Sequence, residues 1–98
     1  MKFFLSITET AKGDLKQLKE DSGLKKRYKA VTKALQYLQT NPKHPSLQTH
    51  PYESFCGPNA EKVFEAYAEQ DTPAAYRIFF YYGRQRGEII VFAITPHP

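Results

Sequence analysis

Arg77, His97 and Tyr81 are the side chains of this 98-residue sequence best suited to chemistry on a phosphate. A guanidinium grips phosphate through two parallel N–H donors, and an imidazole titrates near neutrality and serves as acid or base. On a strand over Ala75–Tyr82, Arg77, Phe79 and Tyr81 share one face and Tyr76, Ile78, Phe80 and Tyr82 the other. If the more apolar second set packs on helices, Arg77 and Tyr81 lie on an open face. That face would also receive Arg84 or Arg86 from the following turn and His97 from the end of the last strand. RNA cleavage by its own 2′-hydroxyl needs a base, a stabiliser of phosphate charge and an acid for the leaving oxygen. Arg77 suits the second role and His97 the third.

Each residue has a plainer alternative. Arg77 can pair with Glu65 across neighbouring strands, which would make Glu65 its partner rather than a base. His97 is the penultimate residue and can belong to a frayed tail. Tyr81 and Tyr82 can be packing aromatics. Arg84 and Arg86 are exposed at a turn tip with or without an RNA contact. His44 and His50, set among prolines, are expected to hydrogen-bond within their own segment, the alternative being that one of them lines the site. With one cysteine and no closely spaced third ligand they do not make a metal site, and no metal or cofactor is expected. Cys56, between Phe55 and Gly57, has no base beside it and is not expected to be a nucleophile.

The charge is unevenly spread. The net charge is +4, and the isoelectric point is near 9.2. Residues 22–52 carry Lys25, Lys26, Arg27, Lys29, Lys33 and Lys43 and no acid. Such a block attracts phosphate backbones and releases their counterions, or it is simply a solvated helix face. A single cysteine excludes an internal disulfide and fits a reducing compartment. No run reaches the roughly 18 apolar residues of a membrane span, and Met1-Lys2-Phe3-Phe4-Leu5 is too short for a signal peptide. A cytoplasmic protein is expected, with no membrane partner.

The elements that must position these groups follow from periodicity. Phe3, Leu5 and Ile7 alternate with Lys2, Phe4 and Ser6, which predicts a strand. Thr8 is placed to cap a helix whose stripe is Ala11, Leu15 and Leu18, ended by Asp21-Ser22-Gly23 with the glycine free to take positive φ. Tyr28, Val31, Leu35 and Leu38 recur at three, four and three, which predicts a second helix stopped by Asn41-Pro42. The two helices should form an antiparallel hairpin. Residues 41–61 hold four prolines and read as a long loop, with a short extended piece around Leu47–Tyr52. Strands follow over Lys62–Ala68, Ala75–Tyr82 and Glu88–Ile94. The last two are joined by a turn through Gly83 and Gly87 with a basic tip. The predicted architecture is α+β and covers residues 1–98 as one domain. Its order is β-α-α-β-β-β, with a helical hairpin packed on one face of a mostly antiparallel four-stranded sheet.

That order, the run Ala75-Tyr76-Arg77-Ile78-Phe79-Phe80-Tyr81, and the ending Ile90-Val91-Phe92-Ala93-Ile94 followed by Thr95-Pro96-His97-Pro98 resemble the RelE/ParE toxin superfamily across nearly the whole chain. The resemblance implies a small basic toxin paired with an antitoxin protein. In RelE-like members the target is messenger RNA on the ribosome, and in ParE-like members it is DNA gyrase. By the same resemblance, Arg77 stands where RelE and YoeB toxins hold the scissile phosphate. His97 stands where YoeB-type toxins protonate the leaving oxygen. Lys62 lies on the strand where RelE carries catalytic lysines, although Phe64 and Glu65 replace a Lys-x-Lys pair. The general-base glutamate has no counterpart, Pro45 or Ser46 falling nearest, and the C-terminal helix of many members is absent.

The resulting expectation is a metal-independent, ribosome-dependent mRNA endoribonuclease that inhibits translation. Arg77 and His97 would be catalytic, and Lys25, Lys26, Lys29, Lys62, Tyr81, Arg84 and Arg86 would contact RNA. Two rivals stand beside it: a ParE-like gyrase inhibitor that acts by binding alone, and a non-toxic binding module on the same fold.

Overall fold

The computed structural model describes residues 2–97; Met1 and Pro98, which end two of the runs quoted above, lie outside it. Strand β1 (Phe4–Ile7) leads into helix α1 (Glu9–Glu20), and Ser22–Leu24 turns the chain into helix α2 (Lys25–Thr40). Strands β2 (His50–Cys56), β3 (Lys62–Tyr67), β4 (Tyr76–Tyr82) and β5 (Glu88–Pro96) follow. They form one sheet of order β1-β5-β4-β3-β2, in which β1 runs parallel to β5 and every other pair is antiparallel.

The helix ends are set by local chemistry. The Thr8 hydroxyl accepts from the Ala11 amide at 3.3 Å, as a cap should, and Glu9 in the first turn suits the positive end of the helix. The stop after α1 differs from the expectation. Gly23 does not take positive φ; instead the Asp21 carboxylate accepts its amide at 2.9 Å and starts a short turn of 3₁₀ helix. At the end of α2, Asn41 is extended (φ −158°, ψ 98°), the conformation a following proline favours.

Leu18 of α1 and Val31, Ala34, Leu35 and Leu38 of α2 pack on Ala66, Ile78, Phe80, Ile89, Val91 and Ile94 of the sheet. Phe3, Leu5 and Ile7 line the edge of this core, whereas Phe4 is exposed, as the alternation predicts. A bulge in β5 completes the pattern. Phe79 pairs with Ala93 but Phe80 pairs with Val91, which leaves Phe92 as an extra residue. The insertion lets Ile89, Val91 and Ile94 all face the helices, which strict alternation would forbid.

The sheet has five strands rather than four. Residues 50–56, read as part of a loop, form β2 along the edge of the sheet. Pro51 is tolerated there because an edge strand leaves one side of its backbone unpaired. Leu47 is not extended; it sits in a 3₁₀ turn, Pro45–Leu47, and plugs the core at 1% exposure.

Candidate functional site

β4 turns Arg77, Phe79 and Tyr81 away from the helices, as its alternation requires. The face they occupy is not open. The pairing of β2 with β3 slips between Pro51 and Cys56, and the slack carries Tyr52 and Phe55 over Phe79, with ring centroids 4.9 and 5.8 Å away. Phe79 and Tyr81 are consequently buried. Burial, with the charges of Glu61 and Glu88, holds the Tyr81 phenol above its usual range. Tyr81 is therefore a packing aromatic against Phe92, not an exposed RNA contact.

At the β2–β3–β4 end of this face lies a cluster built on Glu65. Glu65 and Tyr67 are two residues apart on β3, and Tyr67 sits opposite Arg77, so Glu65 and Arg77 are diagonal neighbours. Glu65 is 3% exposed. Its Oε2 accepts from Arg77 Nη1 at 2.9 Å, its Oε1 lies 2.7 Å from His50 Nε2, and the Tyr67 hydroxyl also hydrogen-bonds to it. Burial, then the charge and hydrogen bond of Glu65, push the Tyr67 phenol up. Arg77 lies over the Phe79 ring at 4.8 Å, a cation–π contact. Its Nη2 reaches Thr95 Oγ1 at 3.4 Å and the Pro96 carbonyl at 3.5 Å, and its Nε is buried without a hydrogen-bond partner among the described residues. The cross-strand pairing of Arg77 with Glu65 is thus realised.

His97 reaches the same end of the sheet. Its amide donates to the Ala75 carbonyl at 2.8 Å, which extends the β4–β5 pairing one step past Pro96. The residue is exposed and lines a cleft of about 760 Å³ with Gln48, Tyr67, Gln70, Asp71 and Thr72. Tyr67 therefore belongs both to this cleft and to the Glu65 cluster. Gln48, Asp71 and Ala74 in its wall take left-handed backbone (φ 47°, 51° and 55°), unusual for residues with side chains. Arg27 braces that wall through Glu69 at 2.8 Å and the Pro73 carbonyl at 3.3 Å, so it is withdrawn from the basic block.

The remaining predicted contacts lie elsewhere. Lys62 opens β3 on the helix-facing side, 5.9 Å from the Phe64 ring, at the far end of the strand from Tyr67. Arg84 and Arg86 are exposed in the β4–β5 turn, beyond Tyr82, which is itself about 17 Å of strand from Arg77. None of the three joins Arg77. Lys25, Lys26 and Lys29 are exposed on α2 and form a solvated basic face away from the cluster. His44 stacks on Tyr37 at 4.0 Å and its Nδ1 accepts the Ser46 amide, a local role.

Tyr67 was not expected in the cluster, and His50 realises what was only the lesser alternative for the two loop histidines. The usable signal was the β3 alternation Val63, Glu65, Tyr67, which places a carboxylate and a phenol on the face of Arg77. Nothing in the sequence chose His50 over His44, because its position depends on the unrecognised strand β2.

No family model matches the chain, and no curated protein matches it. Solved structures do resemble it. The archaeal RelE–RelB complex from Pyrococcus horikoshii OT3 contains a chain that matches with a TM-score of 0.67 at 14% identity, covering 98% of this chain and 96% of that one. The YoeB/ParE toxin from Agrobacterium tumefaciens matches with a TM-score of 0.70 at 13% identity, over 100% of both chains. From end to end, with a fifth strand counted in, this chain has the fold of the RelE/ParE toxin superfamily.

Proposed function

We propose that the protein is the toxin of a toxin–antitoxin pair and that it acts on RNA in the cytoplasm. The observation that carries this reading is the match in fold, over nearly the full length of both chains, to a chain of an archaeal RelE–RelB complex and to a YoeB/ParE toxin. The basic face of α2 supports a polyanionic target. The meeting of Arg77 and His97 at one end of the sheet supports a phosphate there. In this reading RNA lies along that end, the Arg77 guanidinium stabilises phosphate charge, and His97 protonates the leaving oxygen. The ribosome supplies alignment, and alignment alone accounts for much of such a rate. The partner is an antitoxin protein whose segment folds over the toxin and masks its positive surface.

A second reading has its own support. Arg77 is already engaged by Glu65, and Lys62, Arg84 and Arg86 lie away from it, so the set of cations around the phosphate is thin. That favours a ParE-like inhibitor of gyrase acting by binding. Inducible expression separates the two. Growth should stop on induction under both. Under the nuclease reading, new RNA 5′ ends appear, and His97→Gln abolishes both them and the toxicity. If His97→Gln remains toxic and transcripts stay intact, the gyrase reading replaces it. If growth is unaffected while soluble protein accumulates, the toxin reading fails.

A further inference from the structure

His50 is bound from two sides by acceptors. Its Nδ1 lies 2.9 Å from the Gln48 carbonyl oxygen, and its Nε2 lies 2.7 Å from Glu65 Oε1. A neutral imidazole has one N–H and can satisfy one of these contacts; the imidazolium has two and satisfies both. The groups facing the ring are Glu65 and Tyr67 from β3, the latter 5.8 Å away centroid to centroid, with Arg77 of β4 beyond Glu65.

The way Glu65 is shared matters for Arg77. An arginine and a carboxylate free to choose form two parallel hydrogen bonds that occupy the fork of the guanidinium. Here Oε1 is held by His50, so Arg77 receives Oε2 alone. The rest of its fork has two long hydrogen bonds through Nη2 and, among the described residues, none through Nε. A buried guanidinium with donors left over is poised for another acceptor. The local charge follows the same residue. Glu65 and Arg77 cancel, so His50 decides whether the cluster is neutral or carries +1.

We infer that His50 is a positioning residue whose Nε2–H holds Glu65 Oε1 and so keeps Arg77 available to a phosphodiester, and whose second proton adds the positive charge that makes the site bind single-stranded RNA more tightly. The inference rests on the RNA-directed reading above. The sign follows from the chemistry: affinity is higher where the ring carries its second proton and falls as pH rises and that proton is lost.

Two measurements on the full chain test it. In the first, fluorescence anisotropy follows binding of a short single-stranded RNA between about pH 5 and 8 at fixed salt. Wild-type affinity should fall about tenfold, the size of one charge-assisted hydrogen bond. His50→Gln, whose amide donates to Oε1 without titrating, should lose the pH step. His50→Leu, which frees Oε1 to complete the fork, should bind weakly throughout. His44→Gln should keep the step. A step that survives in His50→Gln overturns the inference and leaves RNA binding intact. In the second, ¹⁵N NMR follows Arg77 Nε. In the wild type its resonance should move with the titration of the His50 ring, and it should stay fixed in His50→Gln. An Nε resonance that ignores the His50 titration overturns the inference whether or not RNA binds. Absence of RNA binding at every pH, with the Nε coupling present, instead removes the RNA reading and leaves the coupling standing.

Discussion

Glu65→Leu deprives Arg77 of its carboxylate. The Arg77 side chain is 12% exposed and that of Glu65 4%, so water replaces little of what is lost. The variant strands a guanidinium whose Nε already lacks a hydrogen-bond partner among the described residues, and it leaves His50 Nε2 and the Tyr67 hydroxyl facing a methyl group. Breaking a buried ion pair from one side costs about 3–5 kcal/mol. For a domain of this size that lowers the melting temperature by roughly 15–25 °C. The double variant Arg77→Met/Glu65→Leu removes both charges and fills the space with apolar atoms. Such replacements of buried pairs are close to neutral or stabilising, so most of the loss should be recovered. Urea unfolding of the wild type, both single variants and the double variant gives the coupling directly. Single-variant losses below about 1 kcal/mol, the range of exposed pairs, would refute the reasoning that this cluster is desolvated.

Three other outcomes follow from the same structure. Tyr67 has a folded-state pKa raised above its ordinary value, so its contribution to stability is complete below about pH 10 and is lost as pH rises past it; Tyr67→Phe should flatten the alkaline limb of a stability–pH curve. Phe80→Ala, at a fully buried core position, should cost about 3–5 kcal/mol in urea unfolding. Thr8→Ala removes the cap of α1 and the contact of its hydroxyl with the Phe92 carbonyl, and should cost about 1 kcal/mol in the same assay.

The parts of the fold legible from sequence are those set by local periodicity. The stripe Tyr28, Val31, Leu35 and Leu38 yields α2, and the alternation through Ile78 and Phe80 yields the helix-facing side of β4. Strand β2 was hidden because it does not alternate and prolines flank and enter it. Its pairing is long-range, and its register slips where Tyr52 and Phe55 cross the sheet. The bulge at Phe92 was hidden for a related reason: Ile89, Val91 and Ile94 are spaced two and three apart, and only the pairing with β4 reveals where the extra residue goes. Misreading β2 as a loop made the far face look bare and put Tyr81 on an open surface. The candidate site was half visible. Arg77 and His97 do reach one end of the sheet. Their neighbours Glu65, Tyr67 and His50 come from two further strands, and no spacing along the chain records that.

The central claim is that a protein of this fold, with Arg77 and His97 at one end of its sheet, silences translation by cutting RNA. The most direct check adds the purified chain to a cell-free translation reaction programmed with one defined messenger, then examines both product and template. The account predicts that synthesis stops and that the messenger carries discrete breaks, absent when His97→Gln is added instead. Continued synthesis from an intact messenger in the presence of folded wild-type protein would contradict it.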